Sequence, residues 1–191
     1  EVGLGSVKAG YEAKEMVAWA RQHGIQSTIH TGGPSIPGSG LIDKDVVLMS
    51  AVAGLGDAMT DMSPIAVPRG FTEAYIADPD PDALTASVTT AYARVATGKD
   101  LVLLEGTGHA GVGSVFDLSN ADVARLLGAR VVIVSQGGIG KPIDEILLNK
   151  AKFDVMGVEV VGVVVNQVDP ARYERLRPVV TRGLERLGLT V

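Results

Sequence analysis

Four apolar residues, Leu101, Val102, Leu103 and Leu104, run into a carboxylate, Glu105, and then into glycines at 106, 108, 111 and 113. The apolar run predicts a strand of a parallel sheet covered on both faces. A carboxylate at the carboxyl end of such a strand lies where open α/β sheets bind their ligands. Glycines let backbone N–H groups approach an anion closely, and one carboxylate with phosphate oxygens suits Mg²⁺. The spacing points to a magnesium-and-phosphate corner. The plainer alternative is a buried strand that ends in an exposed glutamate. Other chemistries have less to build on. No cysteine occurs, which excludes disulfides and thiolate chemistry. No G-x-S-x-G elbow is present. The GSVFDLS stretch at 113–119 reads as a helix cap, not as a nucleophile.

The elements that must hold such a corner alternate along the chain. Residues 11–23 carry Met16, Val17, Trp19 and Ala20 at helical spacing, and Gly24 ends the run. Residues 25–30 read as a strand and 31–40, TGGPSIPGSG, as a loop. Residues 43–55 read as a helix facing inward with Val46, Val47, Met49 and Val52. Prolines at 64, 68 and 79 mark 59–80 as irregular. A helix is predicted over 81–97, the central strand over 101–104, and a helix capped by Ser119 through Leu127. A strand follows at 130–135, then a helix at 141–155 with Pro142 in its first turn. The last pair is a strand at 158–165 and a helix at 170–187. This alternation predicts a single α/β domain, a three-layer sandwich with a mainly parallel sheet of about five strands and right-handed crossovers. Residues 2–4 read as the stub of a strand and 189–191 as the start of another. The chain therefore reads as a piece of a longer protein, or as an engineered one.

The totals suit that fold. The 191 residues are 46% hydrophobic and only 4% aromatic, with 24 glycines, so the core is built from Val, Leu, Ile and Ala. A net charge of −5 argues against nucleic-acid or anionic-membrane partners. No apolar run reaches the roughly 20 residues of a bilayer span, and no signal-peptide pattern opens the sequence. A soluble, cytoplasmic protein is expected.

From about residue 41 to the end the chain resembles the dethiobiotin-synthetase-like P-loop ATPase domain, also found at the N-terminus of some phosphotransacetylases. The stretches that carry the likeness are IDKDVVLM (42–49), DMSPIAVPRGFT (61–72), GKDLVLLEGTGHAGVGSVFDLSNADVARLLGA (98–129), VVIVSQGGIGKPIDEILLNKA (131–151) and VEVVGVVVNQV (158–168). The resemblance implies a P-loop NTPase-like fold that binds ATP and Mg²⁺, often as a homodimer. It implies that Asp45 and Glu105 are the Mg²⁺ carboxylates. It further implies that Thr107, Gly108, His109 and Gly111 face the substrate and that Asn166 reads the adenine edge. Each has an ordinary alternative: Asp45 an acid in the first turn of a helix, His109 a plain loop residue, Asn166 a turn former. Residues 1–40 do not match that family. EVGLGSVKAGYEAKEMVAWARQHG and IHTGGPSIPGS resemble a βαβ piece of an enamidase-type amidohydrolase barrel. There Glu1 corresponds to a metal-bridging carboxylate and His30 to a metal-ligating histidine. The chain thus looks chimeric, with a join near 38–43.

The likeness breaks at a decisive place. A P-loop needs G-x-x-x-x-G-K-[ST] after its first strand, and the sequence contains none. Gly3, Gly5 and Gly10 are present, yet Lys8 is wrongly spaced. At Gly140-Lys141, Pro142 stands where the hydroxyl belongs and Ser135 where the leading glycine belongs, so Lys141 reads as a helix-start residue. His30-Thr31 occupies the place of the family's second-strand lysine. Phosphoryl transfer rests on positioning and on neutralising γ-phosphate charge. Losing the lysine and hydroxyl removes on the order of several kcal/mol of transition-state stabilisation. Feeble ATPase activity at most is expected, with weak nucleotide binding retained. The alternative is a non-catalytic scaffold. A remnant amidohydrolase site fares worse: the chain has three histidines, and Glu1 and His30, expected at the ends of neighbouring strands, could share one Zn²⁺ at most.

Overall fold

The computed structural model describes strands at 2–6, 27–31, 35–36 and 42–43, helical residues 46–47 and 50–51, and the whole of 54–191. Strands β1 (Val2–Ser6), β2 (Ser27–Thr31), β5 (Leu101–Gly106), β6 (Arg130–Gln136) and β7 (Val160–Asn166) form a sheet in the order β2-β5-β1-β6-β7. Every pairing in it is parallel. Two short strands, β3 (Ser35–Ile36) and β4 (Ile42–Asp43), pair antiparallel apart from it. The α/β class and the parallel sheet are those predicted. Strands β5, β6 and β7 are described with their side chains; β1 and β2 are described by backbone register.

Burial follows from position in the sheet. In β5, Val102, Leu103 and Leu104 are all buried, and in β6 so are Ile133, Val134 and Ser135. Successive side chains of a strand point to opposite faces, so consecutive buried residues mean that both faces are covered. The outer strand β7 differs: Val163 is buried, while Val164 is 44% exposed. Its far edge is used by the chain's own end, because the Val163 N–H donates to the Thr190 carbonyl at 2.8 Å and Leu189 is buried.

The helices are α1 (Met59–Met62), α2 (Phe71–Ala77), α3 (Pro81–Ala96), α4 (Asn120–Leu127), α5 (Lys141–Val155) and α6 (Tyr173–Glu185). Asp80 caps α3 by accepting from the Ala83 N–H at 2.9 Å, with Pro81 in the first turn. Ser119 and Asp122 form a reciprocal capping box on α4, which stops at Gly128 in the left-handed region. Helix α5 spans the predicted residues.

Four stretches differ from the sequence reading. The 59–80 segment holds α1 and α2, because its prolines fall between the helices and not inside them. Gly70 starts α2 at φ 85°; Phe71 and Tyr75 stack at a centroid distance of 6.3 Å, and both meet Phe116 edge to face at 5.2 and 5.5 Å. The predicted loop at 31–40 contains β3. The predicted helix at 43–55 is helical at 46–47 and 50–51 and gives way to a turn at Gly54 (φ 57°); Val46 is buried as expected, and Met49 and Val52 lie outside the described residues. The predicted helix at 170–187 opens as a 3₁₀ turn, Pro170–Arg172, before α6. The predicted helix at 11–23 lies outside the described residues.

The strand order also fixes where a ligand can sit. The chain leaves β1 for β2, two places to one side, and leaves β5 for β6, two places to the other. Connections that diverge from neighbouring strands open a crevice above their carboxyl ends. Glu105 pairs in register with Leu4 of β1 and Thr31 of β2, at that edge.

Candidate functional site

Glu105 is the penultimate residue of β5, half-buried, with one carboxylate oxygen shielded from solvent. The strand runs through it, so its backbone is fixed by the ladders on both sides. The loop that follows is fixed by two asparagines. From the first turn of α4, the Asn120 Nδ2 donates to the Thr107 carbonyl at 2.9 Å and to the His109 carbonyl at 2.8 Å. From α5, the Asn149 Oδ1 accepts the Ala110 N–H at 2.7 Å, while its Nδ2 donates to the Glu145 carbonyl at 2.8 Å. The backbone adds Val112 N–H to His109 O at 3.0 Å, Asn120 N–H to Val112 O at 3.0 Å and Ala121 N–H to Ala110 O at 3.2 Å.

Gly106 and Gly113 also have a packing reason to be glycine. A Cβ on Gly106 would lie 2.8 Å from the Asn120 side chain. A Cβ on Gly113, at φ 96°, would lie 2.3 Å from the Leu118 carbonyl. Gly108 and Gly111 remain on the wall of a cavity of about 710 Å³, formed by loop 108–111, Ser114, the carboxyl end of β6 and one side of α5. That volume is within the range of small-molecule sites, roughly 300–1,000 Å³.

The charge in the cavity comes from α5. Lys141 sits at the helix start, as predicted, 85% exposed at its side chain and 3.4 Å from Glu145. Lys152 lines the same wall and has no ion pair among the described residues. His109 also lines it, and its Nδ1 accepts the Gly111 N–H at 3.2 Å.

Asn166 ends β7 opposite Gln136 of β6, and its carbonyl accepts the Gly137 N–H at 2.7 Å. It stands at the same carboxyl edge as Glu105, three inter-strand spacings away, about 14 Å. Thr107, Gly108, His109 and Gly111 are thus gathered in one loop beside Glu105, and Asn166 faces the crevice edge from its far end. Asp45 and Glu1 lie outside the described residues, and His30 is described by its backbone in β2. The expectation that Glu1 and His30 end neighbouring strands is corrected by the strand order: β5 runs between β1 and β2. No cluster of three or more metal-ligating side chains occurs among the described residues, and among them no helix is long and apolar enough to cross a membrane.

Sequence reasoning missed Asn120, Asn149 and Lys152. Nothing in the local pattern signals the first two, because their partners are backbone groups brought near only by the fold. Lys152 had a signal: it lies eleven residues after Lys141, three helical turns along the same face.

Comparison with known proteins accords with this geometry. A match to an enamidase of Eubacterium barkeri is 50% identical over 48 residues, covering 25% of this chain and 12% of the enamidase. The chain therefore spans a small fraction of that relative's length. The AAA domain family matches residues 33–188, a span that begins at 33 and not near 41. With a parallel sheet, a carboxylate at its switch point and a match over most of its length, the chain belongs to the AAA domain family, a P-loop NTPase family related to dethiobiotin synthetase.

Proposed function

We propose that this chain is an ATP-binding domain that holds Mg·ATP across the carboxyl edge of its sheet and hydrolyses it feebly or not at all. The observation that carries the reading is the position of Glu105, at the divergence of β1 and β5, directly before the loop whose Gly108 and Gly111 line the cavity. Family membership supports nucleotide binding. A half-buried carboxylate fits a hard cation bridged to phosphate oxygens, and the 14 Å edge suits an extended ligand. Glu105, with Asp45, would hold Mg²⁺, which when bound neutralises phosphate charge. Asn166 would receive the adenine, and Thr107, Gly108, His109 and Gly111 would face the second substrate. The residues do not fit efficient phosphoryl transfer, because the sequence lacks the lysine and hydroxyl of G-x-x-x-x-G-K-[ST].

Calorimetric titration with Mg·ATP tests the reading. Micromolar binding that weakens more than about tenfold in Glu105→Ala supports it, since contacts to a charged group contribute about 1.5–3 kcal/mol. A second reading, favoured by the missing lysine, is a non-catalytic scaffold recombined from an amidohydrolase piece and an ATPase piece and kept in a single domain. Its signature is silence to millimolar nucleotide with a cooperative unfolding transition. Association as a homodimer in solution and a cytoplasmic location are proposed with the first reading.

A further inference from the structure

We propose that Asn120 is the positioning residue of this site: its amide clamps the 107–109 loop so that the Gly108 N–H is presented to the cavity as a donor to an anionic oxygen of the ligand. The anion rests on the function proposed above; the clamp rests on geometry alone. Both hydrogens of the Asn120 amide are used, one on the Thr107 carbonyl at 2.9 Å and one on the His109 carbonyl at 2.8 Å. A peptide unit is planar and trans, so its C=O and N–H point in opposite directions. Turning the Thr107 carbonyl toward α4 therefore turns the Gly108 N–H away from α4. Gly108 lines the cavity, and its N–H has no acceptor among the described residues. The next clamped unit behaves the same way. With the His109 carbonyl on Asn120, the Ala110 N–H faces α5 and meets Asn149 at 2.7 Å.

The environment admits asparagine and little else. Gly106 leaves the room, since any Cβ there would lie 2.8 Å from Asn120. An aspartate of the same shape would set a carboxylate against two carbonyl oxygens, and alanine would leave both carbonyls unclamped. Phosphate and carboxylate ligands offer the same anionic oxygen, so the test uses Mg·ATP and inorganic phosphate as separate probes.

Two readouts decide the matter. The first needs no ligand: in Asn120→Ala, amide exchange at Ala110 and Val112 is expected to quicken about tenfold, as loss of hydrogen bonds worth about 1 kcal/mol each implies, with the amides of β5 and β6 unchanged. Unchanged protection of the loop overturns the clamp. The second follows the Gly108 amide resonance during titration of the wild-type chain and Asn120→Asp. The wild-type signal is expected to shift with both probes. Relative to wild type at the same pH, affinity in Asn120→Asp falls about tenfold at about pH 8 and recovers in part at about pH 4, where roughly half of an ordinary aspartate is protonated and donates again. A purely structural role would give no recovery. A still Gly108 signal while neighbouring residues shift overturns the donor. A wild-type chain that binds neither probe removes the donor together with the function proposed above, and the exchange experiment still judges the clamp.

Discussion

At the scale of residues, the site shows why glycine and asparagine recur around a single carboxylate. Glu105 needs a fixed backbone, and the ladders to β1 and β2 supply it on both sides. The loop beyond it has no ladder, so side chains join its backbone turns in holding it, with two hydrogen bonds from Asn120 and one to Asn149. Gly113 closes the loop. At φ 96° it adopts a conformation that side chains avoid, and the Leu118 carbonyl fills the space a Cβ would need. Replacement by alanine adds left-handed strain to a steric overlap, and Gly113→Ala is expected to lower stability by about 3 kcal/mol or more. Urea denaturation measures this. A change below about 1 kcal/mol would mean that the loop has another conformation.

At the scale of elements, local signals and long-range contacts divide the work. Ser119 is fully buried at the start of α4, where its hydroxyl and the Asp122 side chain satisfy each other's backbone donors. Ser119→Ala is expected to cost about 1 kcal/mol in denaturant unfolding; no loss would show that the cap is not used. Helix α2 is held differently. The Tyr75 hydroxyl donates to the Phe116 carbonyl at 3.0 Å, and burial, with the Asp117 carboxylate beside it, pushes the phenol's pKa upward. The folded chain then holds that proton more tightly than the unfolded one. The stabilisation is complete below about pH 10, the ordinary tyrosine value, and is lost as pH climbs through the raised one. Denaturation midpoints compared at about pH 9 and about pH 11 should show a fall, and Asp117→Asn should lessen it. An equal fall in both chains would contradict the assignment.

These two elements also show what the sequence could reveal. The start of α4 was legible because Ser119 is a local cap signal, and that of α5 because Pro142 is a local first-turn signal. Helix α2 was hidden by flanking prolines, and its stability comes from Phe116, far along the chain. The same division governs the site. Glu105 and its glycines were visible as a strand-end pattern. Asn120 and Asn149 were not, because the groups they hold meet them only after folding. That β5 separates β1 from β2 was likewise invisible, since strand order is set by crossovers and not by sequence neighbours.

At the scale of the whole molecule, the sheet order is what turns scattered residues into a site. β1 sits between β5 and β6, so the first strand of the chain borders the crevice, although the P-loop pattern that should follow it is absent. The family match supports a nucleotide, and slow hydrolysis is proposed from the lysine and hydroxyl of G-x-x-x-x-G-K-[ST] that the sequence lacks. Binding without turnover is the central claim. Its most direct test is calorimetric titration of the full chain with Mg·ATP, with phosphate release followed in the same sample. Micromolar binding that needs Mg²⁺, is lost in Glu105→Ala and releases almost no phosphate is the predicted result. Brisk phosphate release, or no heat at millimolar nucleotide, would contradict it.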